Sequence, residues 1–134
     1  MTPETVNALI GLPYRLGAIG PDAYDCYGLT RHIQSVGWAR DLPDVSVPDV
    51  DDRRIFVALV RQHIGDHRWH QVDRPRHGSV VTMARHDNAL HVGTYLALDG
   101  GGVLHALEKP GVQFDPIFCL QAAGWRRLRF YEPV

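Results

Sequence analysis

The segment Tyr24-Asp25-Cys26-Tyr27-Gly28-Leu29 begins the clearest helix of the sequence. Asp25 is a favourable N-cap, Gly37 is a favourable stop, and apolar residues recur between them at helical spacing (Leu29, Ile33 and Val36). Cys26 therefore falls in the first turn, where unpaired backbone N–H groups and the positive end of the helix dipole favour a thiolate. Because a thiolate attacks carbonyl carbon, Cys26 is a candidate nucleophile. A small buried cysteine without a chemical role explains this position equally well.

Two further helices are predicted on either side of this one. The first begins at Thr2-Pro3-Glu4, with a cap, a proline and an acidic residue in favourable order, and it ends before Gly11. Residues 41–52 alternate Asp, Val and Pro and predict an extended surface loop. Asp51 or Asp52, at the end of this loop, caps another helix, which ends at Gly65. Its apolar side chains are predicted to face inward (Ile55, Phe56, Leu59, Val60 and Ile64).

From Gly78 onward the apolar pattern changes from helical spacing to alternation. It predicts strands over residues 79–83, 91–98, 103–107 and 125–131, and the turn Asp99-Gly100-Gly101-Gly102 joins the middle two as a hairpin. Asp115-Pro116 predicts one short helix before the last strand. Helices followed by an antiparallel sheet indicate an α+β fold, with the N-terminal helices packed on the sheet.

Composition and charge narrow the function classes. A length of 134 residues fits a single domain over residues 1–134. Lys and Arg total 14 against 15 Asp and Glu, so the chain lacks the cationic surplus of a nucleic-acid-binding protein. No segment resembles a secretion signal or a membrane span, so we expect synthesis in the cytoplasm and no membrane insertion. Two cysteines are too few for a disulfide framework, and Cys119, in an apolar context, is predicted to lie in the core.

Histidines supply a candidate base for the cysteine. His91 and His105 lie on the two strands of the predicted hairpin, where directly opposed side chains are about 5 Å apart. One of them could act as a base toward Cys26 while the other holds its ring, as in a catalytic triad. On spacing alone, two half-buried histidines of a sheet are the better explanation.

A second group of histidines has the spacing of metal ligands, His63, His67 and His70. Gly65 interrupts the helix between them, so one coordinating face is not expected. The sequence therefore predicts neither a metal site nor a cofactor.

Three blocks of this sequence resemble the NlpC-type cell-wall cysteine peptidases. Their nucleophile region is similar to Tyr14-Arg15-Leu16-Gly17 together with Tyr24-Asp25-Cys26-Tyr27-Gly28-Leu29. Their base strand is similar to His91-Val92-Gly93-Thr94-Tyr95-Leu96, and the strand of their third catalytic residue to Val103-Leu104-His105-Ala106. The blocks occur in family order, from about residue 12 to the C-terminus. The resemblance implies a papain-like α+β fold, with a cysteine opening a helix that packs on an antiparallel sheet.

The resemblance also implies a role for each matching residue. Cys26 would be the nucleophile, His91 the general base and acid, and His105 the residue that orients His91. Tyr14 would place a hydroxyl near the oxyanion, beside the backbone N–H of Cys26. Asp25 matches an acidic position that receives the free amino end of a stem peptide. The implied reaction is cleavage of peptidoglycan stem peptides, at the bond between γ-D-Glu and diaminopimelate.

Two positions depart from the family pattern. Tyr27 replaces a common serine that helps to shape the substrate pocket, so the usual preference for an L-Ala-γ-D-Glu terminus is expected to change. Gly78-Ser79 stands where the strand before the base strand usually opens with Gly-Asp.

One branch of the family, found in phage tail-tip and gene-transfer-agent proteins, resembles this chain in its short length and in two sequence segments. The matching segments are Asp25-Cys26-Tyr27-Gly28-Leu29 and the closing Gly124-Trp125 with Phe130-Tyr131-Glu132-Pro133. This implies tail-tip or hub proteins as partners and action in the periplasm or cell wall after delivery by a particle. Two alternatives stay open: a structural tail-tip component with weak or lost catalysis, and a thiol amidase or acyltransferase, because one acyl-enzyme serves hydrolysis and transfer alike.

Overall fold

The computed structural model describes residues 1–42, 69–85 and 89–133. Within them it has three helices, α1 (Pro3–Leu9), α2 (Cys26–Trp38) and α3 (Ile117–Ala122). The strands are β1 (Trp69–Val72), β2 (Val80–Arg85), β3 (Ala89–Leu96), β4 (Gly102–Leu107), β5 (Gly111–Asp115) and β6 (Arg126–Pro133). The helix predicted after residue 52, and the predicted surface loop from residue 43 onward, lie outside the described residues.

The strands form one six-stranded sheet in the order β1-β6-β2-β3-β4-β5, and every neighbouring pair is antiparallel. The predicted α+β class is confirmed, as are the hairpin of β3 and β4 and the short helix before the last strand. In the part of the chain that the structure describes, no helix is long and apolar enough to cross a membrane.

The two predicted N-terminal helices are present, with Thr2 and Asp25 as their side-chain caps. The end of α2 differs from the prediction, because the helix continues past Gly37 to Trp38 and ends at Ala39 in the left-handed conformation (φ 54°). Val36 was expected to face inward but is 55% exposed. Only one face of α2 packs on the sheet, and that face is occupied by the completely buried Leu29 and Ile33.

The sheet separates two apolar layers. Side chains alternate between its faces, so alternate residues of one strand belong to different layers. On one face α1 and α2 pack against Val92, Leu96, Leu104 and other strand residues. On the opposite face Trp125 and residues of α3 and β6 pack against strand residues of the sheet centre (Val81, Met83 and Val103).

Two strands and one core assignment differ from the sequence-based expectations. β1 and β5 were not predicted, and they form the two edges of the sheet. Cys119 was expected in the core but is exposed on α3. That six-residue helix buries only Leu120 and leaves the neighbouring Phe118 71% exposed, so an apolar local context did not decide burial there.

Candidate active site

Cys26 is the first residue of α2 and is 8% exposed. The carboxylate of Asp25 fixes this helix start, because its Oδ1 accepts a hydrogen bond from the Gly28 N–H (2.6 Å) and its Oδ2 one from the Gly17 N–H (2.9 Å). The loop before α2 packs closely against the first turn of the helix, because a side chain at Gly28 would collide with the backbone oxygen of Ala18. Loop and helix therefore hold the cysteine in one place.

The sulfur of Cys26 meets the sheet where β3 and β4 separate. The ladder between these strands covers Thr94–Leu96 of β3, and in the described residues 91–93 pair only with β2. A backbone N–H that is free from the ladder can bind another acceptor. The Val92 N–H makes such a hydrogen bond to the Cys26 thiol, and the two side chains pack in one cluster.

His91 and His105 lie together on the opposite face of the sheet from α2. The His91 Nε2 is 2.7 Å from the His105 Nδ1, and both rings are buried. Gly93 makes this approach possible, because a Cβ there would lie 2.6 Å from a Val103 methyl and 3.1 Å from the His105 Cβ. The predicted pairing of the two histidines is therefore present, with His91 immediately before the residue that binds the sulfur.

The described residues show no hydrogen bond between the Cys26 sulfur and the His91 ring; the Val92 N–H links Cys26 to the strand of His91. The other ring nitrogen of His91, Nδ1, is not used in its contact with His105. Catalytic hydrogen bonds are often long before substrate binds and tighten afterwards.

Asp115 is a site residue that sequence reasoning did not identify. Its Oδ2 lies 2.8 Å from the His105 Nε2, so a carboxylate stands behind the second histidine. Gln113, opposite His105 in the β4–β5 ladder, approaches the same nitrogen at 3.4 Å. The only signal of Asp115 in the sequence was Asp-Pro, which was interpreted as a helix start.

A stack of rings covers His91. Its imidazole lies on Trp125, with the ring centroids 4.7 Å apart and the planes at 23°. The guanidinium of Arg85 lies over the same tryptophan, 4.4 Å from the ring centroid. Trp125 is itself buried, and its ring positions the histidine.

The charge states of Cys26 and His91 are determined by burial and differ from those expected for a cysteine at an isolated helix start. Burial, and to a smaller extent the charge of the Asp25 carboxylate, raise the pKa of the Cys26 thiol to about 12; N–H groups, including that of Val92, oppose this only in part. Burial also holds the pKa of His91 well below 6.5, with His105 and Arg85 contributing in the same direction. The resting pair is therefore a thiol and a neutral imidazole, and the expected resting thiolate is wrong.

The remaining predicted site residues lie on the α2 side of the sheet. Tyr14 is half-buried, bridges to Tyr24 and packs against the cluster that contains α1 and α2. Tyr27 is buried and packs in the cluster of Cys26, Val80 and Val92. The proposed effects of both on an oxyanion or substrate stay predictions.

Ser79, the second departure from the family pattern, has a buried structural role. Its Oγ accepts a hydrogen bond from the Arg76 N–H (2.8 Å) and donates one to the Glu132 carboxylate. A carboxylate is thus present beside this position, but it comes from β6.

The histidine group with metal-like spacing is only partly described. His63 and His67 lie outside the described residues, and His70 is exposed on β1. Among the residues that the structure does describe, no group of three or more His, Cys, Asp or Glu side chains could hold a metal ion.

Comparisons with known proteins agree with this architecture. The structure is similar to the crystal structure of the NlpC/p60 domain of the peptidoglycan hydrolase SagA, with a TM-score of 0.60 and 20% identity. That match covers 95% of this chain and 92% of the SagA domain, and it shows the papain-like fold. No curated protein matches the chain. The model of the NlpC/P60 family matches residues 11–127, which include the helix start and both histidine strands, and the chain therefore belongs to the NlpC/P60 family of cell-wall cysteine peptidases.

Proposed function

We propose that this chain is a cysteine endopeptidase that cleaves peptidoglycan stem peptides with Cys26, His91 and His105. The observation that carries the proposal is the pair of buried histidines, whose His91 Nε2 and His105 Nδ1 are 2.7 Å apart. His91 lies on β3, and the next N–H of that strand, that of Val92, binds the cysteine sulfur. Membership of the NlpC/P60 family supports the substrate class.

The neutral resting pair determines how the reaction would begin. The His91 Nδ1 takes the thiol proton through the opening between β3 and β4, where the sulfur meets the Val92 N–H, as the Cys26 sulfur attacks the carbonyl carbon of the scissile amide. The tetrahedral intermediate collapses, the carbon–nitrogen bond breaks, and His91 returns the proton to the leaving amine. Water then adds to the thioester, with His91 again accepting a proton, and release of the carboxylic acid restores the thiol.

Residues at the start of α2 and in the loop before it are proposed to bind the negatively charged intermediate and the free amino end of the substrate. The backbone N–H of Cys26 supplies an oxyanion donor, helped by the hydroxyl of Tyr14. Asp25 receives the free amino end of the stem peptide. A carboxylate has about four lone-pair positions, so Asp25 can bind an ammonium group while it accepts the N–H groups of Gly17 and Gly28. The proposed bond joins γ-D-Glu to diaminopimelate, and Tyr27 is proposed to alter the preference for the preceding residues.

Purified protein incubated with defined muropeptides tests the peptidase function, with products identified by mass spectrometry. We expect two fragments from the wild type and none from Cys26→Ala. Cys119→Ser is the matched control, because that thiol is exposed on α3 and its loss should leave cleavage unchanged. Absence of cleavage by the wild type, or full cleavage by Cys26→Ala, would contradict the proposal.

We further propose that the enzyme acts in the periplasm or cell wall as part of a phage-like tail tip. The support is the resemblance of Asp25-Cys26-Tyr27-Gly28-Leu29 and of the closing segment to that branch. Particles carrying Cys26→Ala should assemble normally and lose wall penetration. Failed assembly would instead favour the structural hub component. Product transfer to an added amine in competition with water would favour the acyltransferase.

A further inference from the structure

We propose that Asp115 is a positioning residue that sets the proton arrangement of both histidines and so leaves the lone pair of His91 on Nδ1, the nitrogen that does not contact His105. This inference rests on the proposed function for its kinetic consequence, but not for its structural one. It begins from the 2.8 Å contact between the Asp115 Oδ2 and the His105 Nε2.

The carboxylate decides which nitrogen of His105 carries the proton. An ionised carboxylate only accepts hydrogen bonds, so the His105 Nε2 must be protonated to make this contact. In the neutral form of this ring the Nδ1 is then unprotonated, and it accepts a hydrogen bond from the His91 Nε2–H at 2.7 Å. His91 is left with its lone pair on Nδ1, the nitrogen that a base toward Cys26 needs.

The opposite arrangement would disable the base. With the proton on the His105 Nδ1, His91 Nε2 would accept and its Nδ1 would carry a proton, so it could not take one from a thiol. The Gln113 amide also approaches the His105 Nε2, at 3.4 Å, but an amide can present either its oxygen or its nitrogen. Asp115 is the closer group and the charged one, and it therefore fixes the arrangement.

The fold supports such a role for Asp115. It is the last residue of β5, on the same face as Gln113, and its side chain reaches His105 diagonally across the β4–β5 ladder. His105 has no exposed side-chain area, whereas Asp115 is 29% exposed. The carboxylate therefore contacts solvent, while the ring it holds is buried.

Nitrogen NMR of the imidazole rings tests the inference without any substrate. In the wild type at neutral pH, His105 and His91 should both carry their proton on Nε2. Replacement Asp115→Asn should weaken this preference in His105, while Asp115→Glu should restore it. A wild-type His105 with its proton on Nδ1 would overturn the proposal, even if a variant failed to fold.

Kinetics on muropeptides supply the second readout. Loss of a carboxylate directly behind a catalytic histidine lowers kcat about 10⁴-fold, and Asp115 acts one ring further away, so we expect a fall on the order of 100-fold for Asp115→Asn. KM should stay nearly constant, because the proposed role of Asp115 is exerted through His105 and the chemical step. Asp99→Asn, which removes an exposed carboxylate from the β3–β4 turn, is the control and should leave kcat unchanged.

The two readouts separate the possible failures. A fall in kcat with no change in ring protonation would make Asp115 a merely structural residue and would overturn the inference, as would an unchanged kcat. An inactive wild type would contradict the peptidase function, while the NMR measurement would still decide the role of Asp115.

Discussion

At the scale of single residues, the fold keeps Cys26, the proposed nucleophile, uncharged. Asp25 performs two opposed tasks, because it stabilises the start of α2 and its charge raises the pKa of the adjacent Cys26 thiol. Burial is the larger cause of that raised pKa. A neutral thiol costs less to bury than a thiolate, and it protects the sulfur until a base removes the proton.

The variant Asp25→Asn separates these two tasks. Asparagine is also a good N-cap, so the helix should remain, but the loss of charge should lower the pKa of Cys26. The rate of alkylation by iodoacetamide against pH, in a Cys119→Ser background, measures this pKa. Asp22→Asn, at an exposed position in the same loop, is the control. An unchanged profile for Asp25→Asn would contradict the electrostatic explanation.

Arg85, whose guanidinium lies over the Trp125 ring, provides a second prediction at the scale of residues. The Arg85 charge is the smallest of three causes that lower the pKa of His91. Arg85→Gln should therefore raise that pKa and move the acid limb of kcat/KM to higher pH, since this limb reports the base of the free enzyme. Arg85→Lys keeps the charge and should keep the limb near its original place. Equal shifts in both variants would indicate that stacking on Trp125, and not charge, is responsible.

At the scale of elements, the separation of β3 from β4 creates the site. Paired strands would occupy the Val92 N–H, whereas here it is available to the Cys26 sulfur. Gly93 lies at this point and lacks the side chain that would keep the two histidines apart. Backbone pairing and side-chain size thus act together on the catalytic geometry.

Gly93→Ala is the test at this scale. Its Cβ would lie 2.8 Å from the backbone oxygen of Leu104 as well as close to Val103, so neither strand can yield without moving the sheet. We expect a loss of about 1–3 kcal/mol in the free energy of unfolding, measured with urea, and a loss of activity. Gly100→Asn in the open β3–β4 turn is the control, because asparagine tolerates positive φ and meets no atom there. Equal stability of Gly93→Ala and wild type would refute the steric argument.

The elements that could be predicted are those with strong local signals. An acidic cap followed by helical spacing identified α2, and a glycine turn between alternating segments identified the hairpin. β1 and β5 lack such a signal, because neither alternates between buried and exposed residues along its length. Asp115 could not be predicted for the same reason: its contact with His105 depends on the register of β5, which the local sequence does not determine.

At the scale of the whole molecule, the buried site couples catalysis to stability. The folded protein holds His91 neutral below the pH at which an unfolded chain protonates it. The unfolded state then binds more protons, so stability falls as the pH decreases below about 6.5. His32 and His77, whose pKa values burial also lowers, contribute in the same direction.

Cys26 produces the corresponding loss of stability on the alkaline side. Its thiol ionises near pH 9.0 when exposed and near 12 in the fold, so between these values the unfolded state releases a proton that the folded state keeps. Stability should then decrease with rising pH, by roughly 1 kcal/mol at one pH unit above the ordinary value. Cys26→Ser has no thiol to titrate, and its free energy of unfolding should fall less between pH 8 and about pH 10. Urea unfolding of both proteins at several pH values measures the difference. Parallel curves would show that the fold does not raise the pKa of Cys26, and a smaller fall in the wild type than in Cys26→Ser would show a thiolate in the folded protein. Either result would contradict the neutral resting thiol.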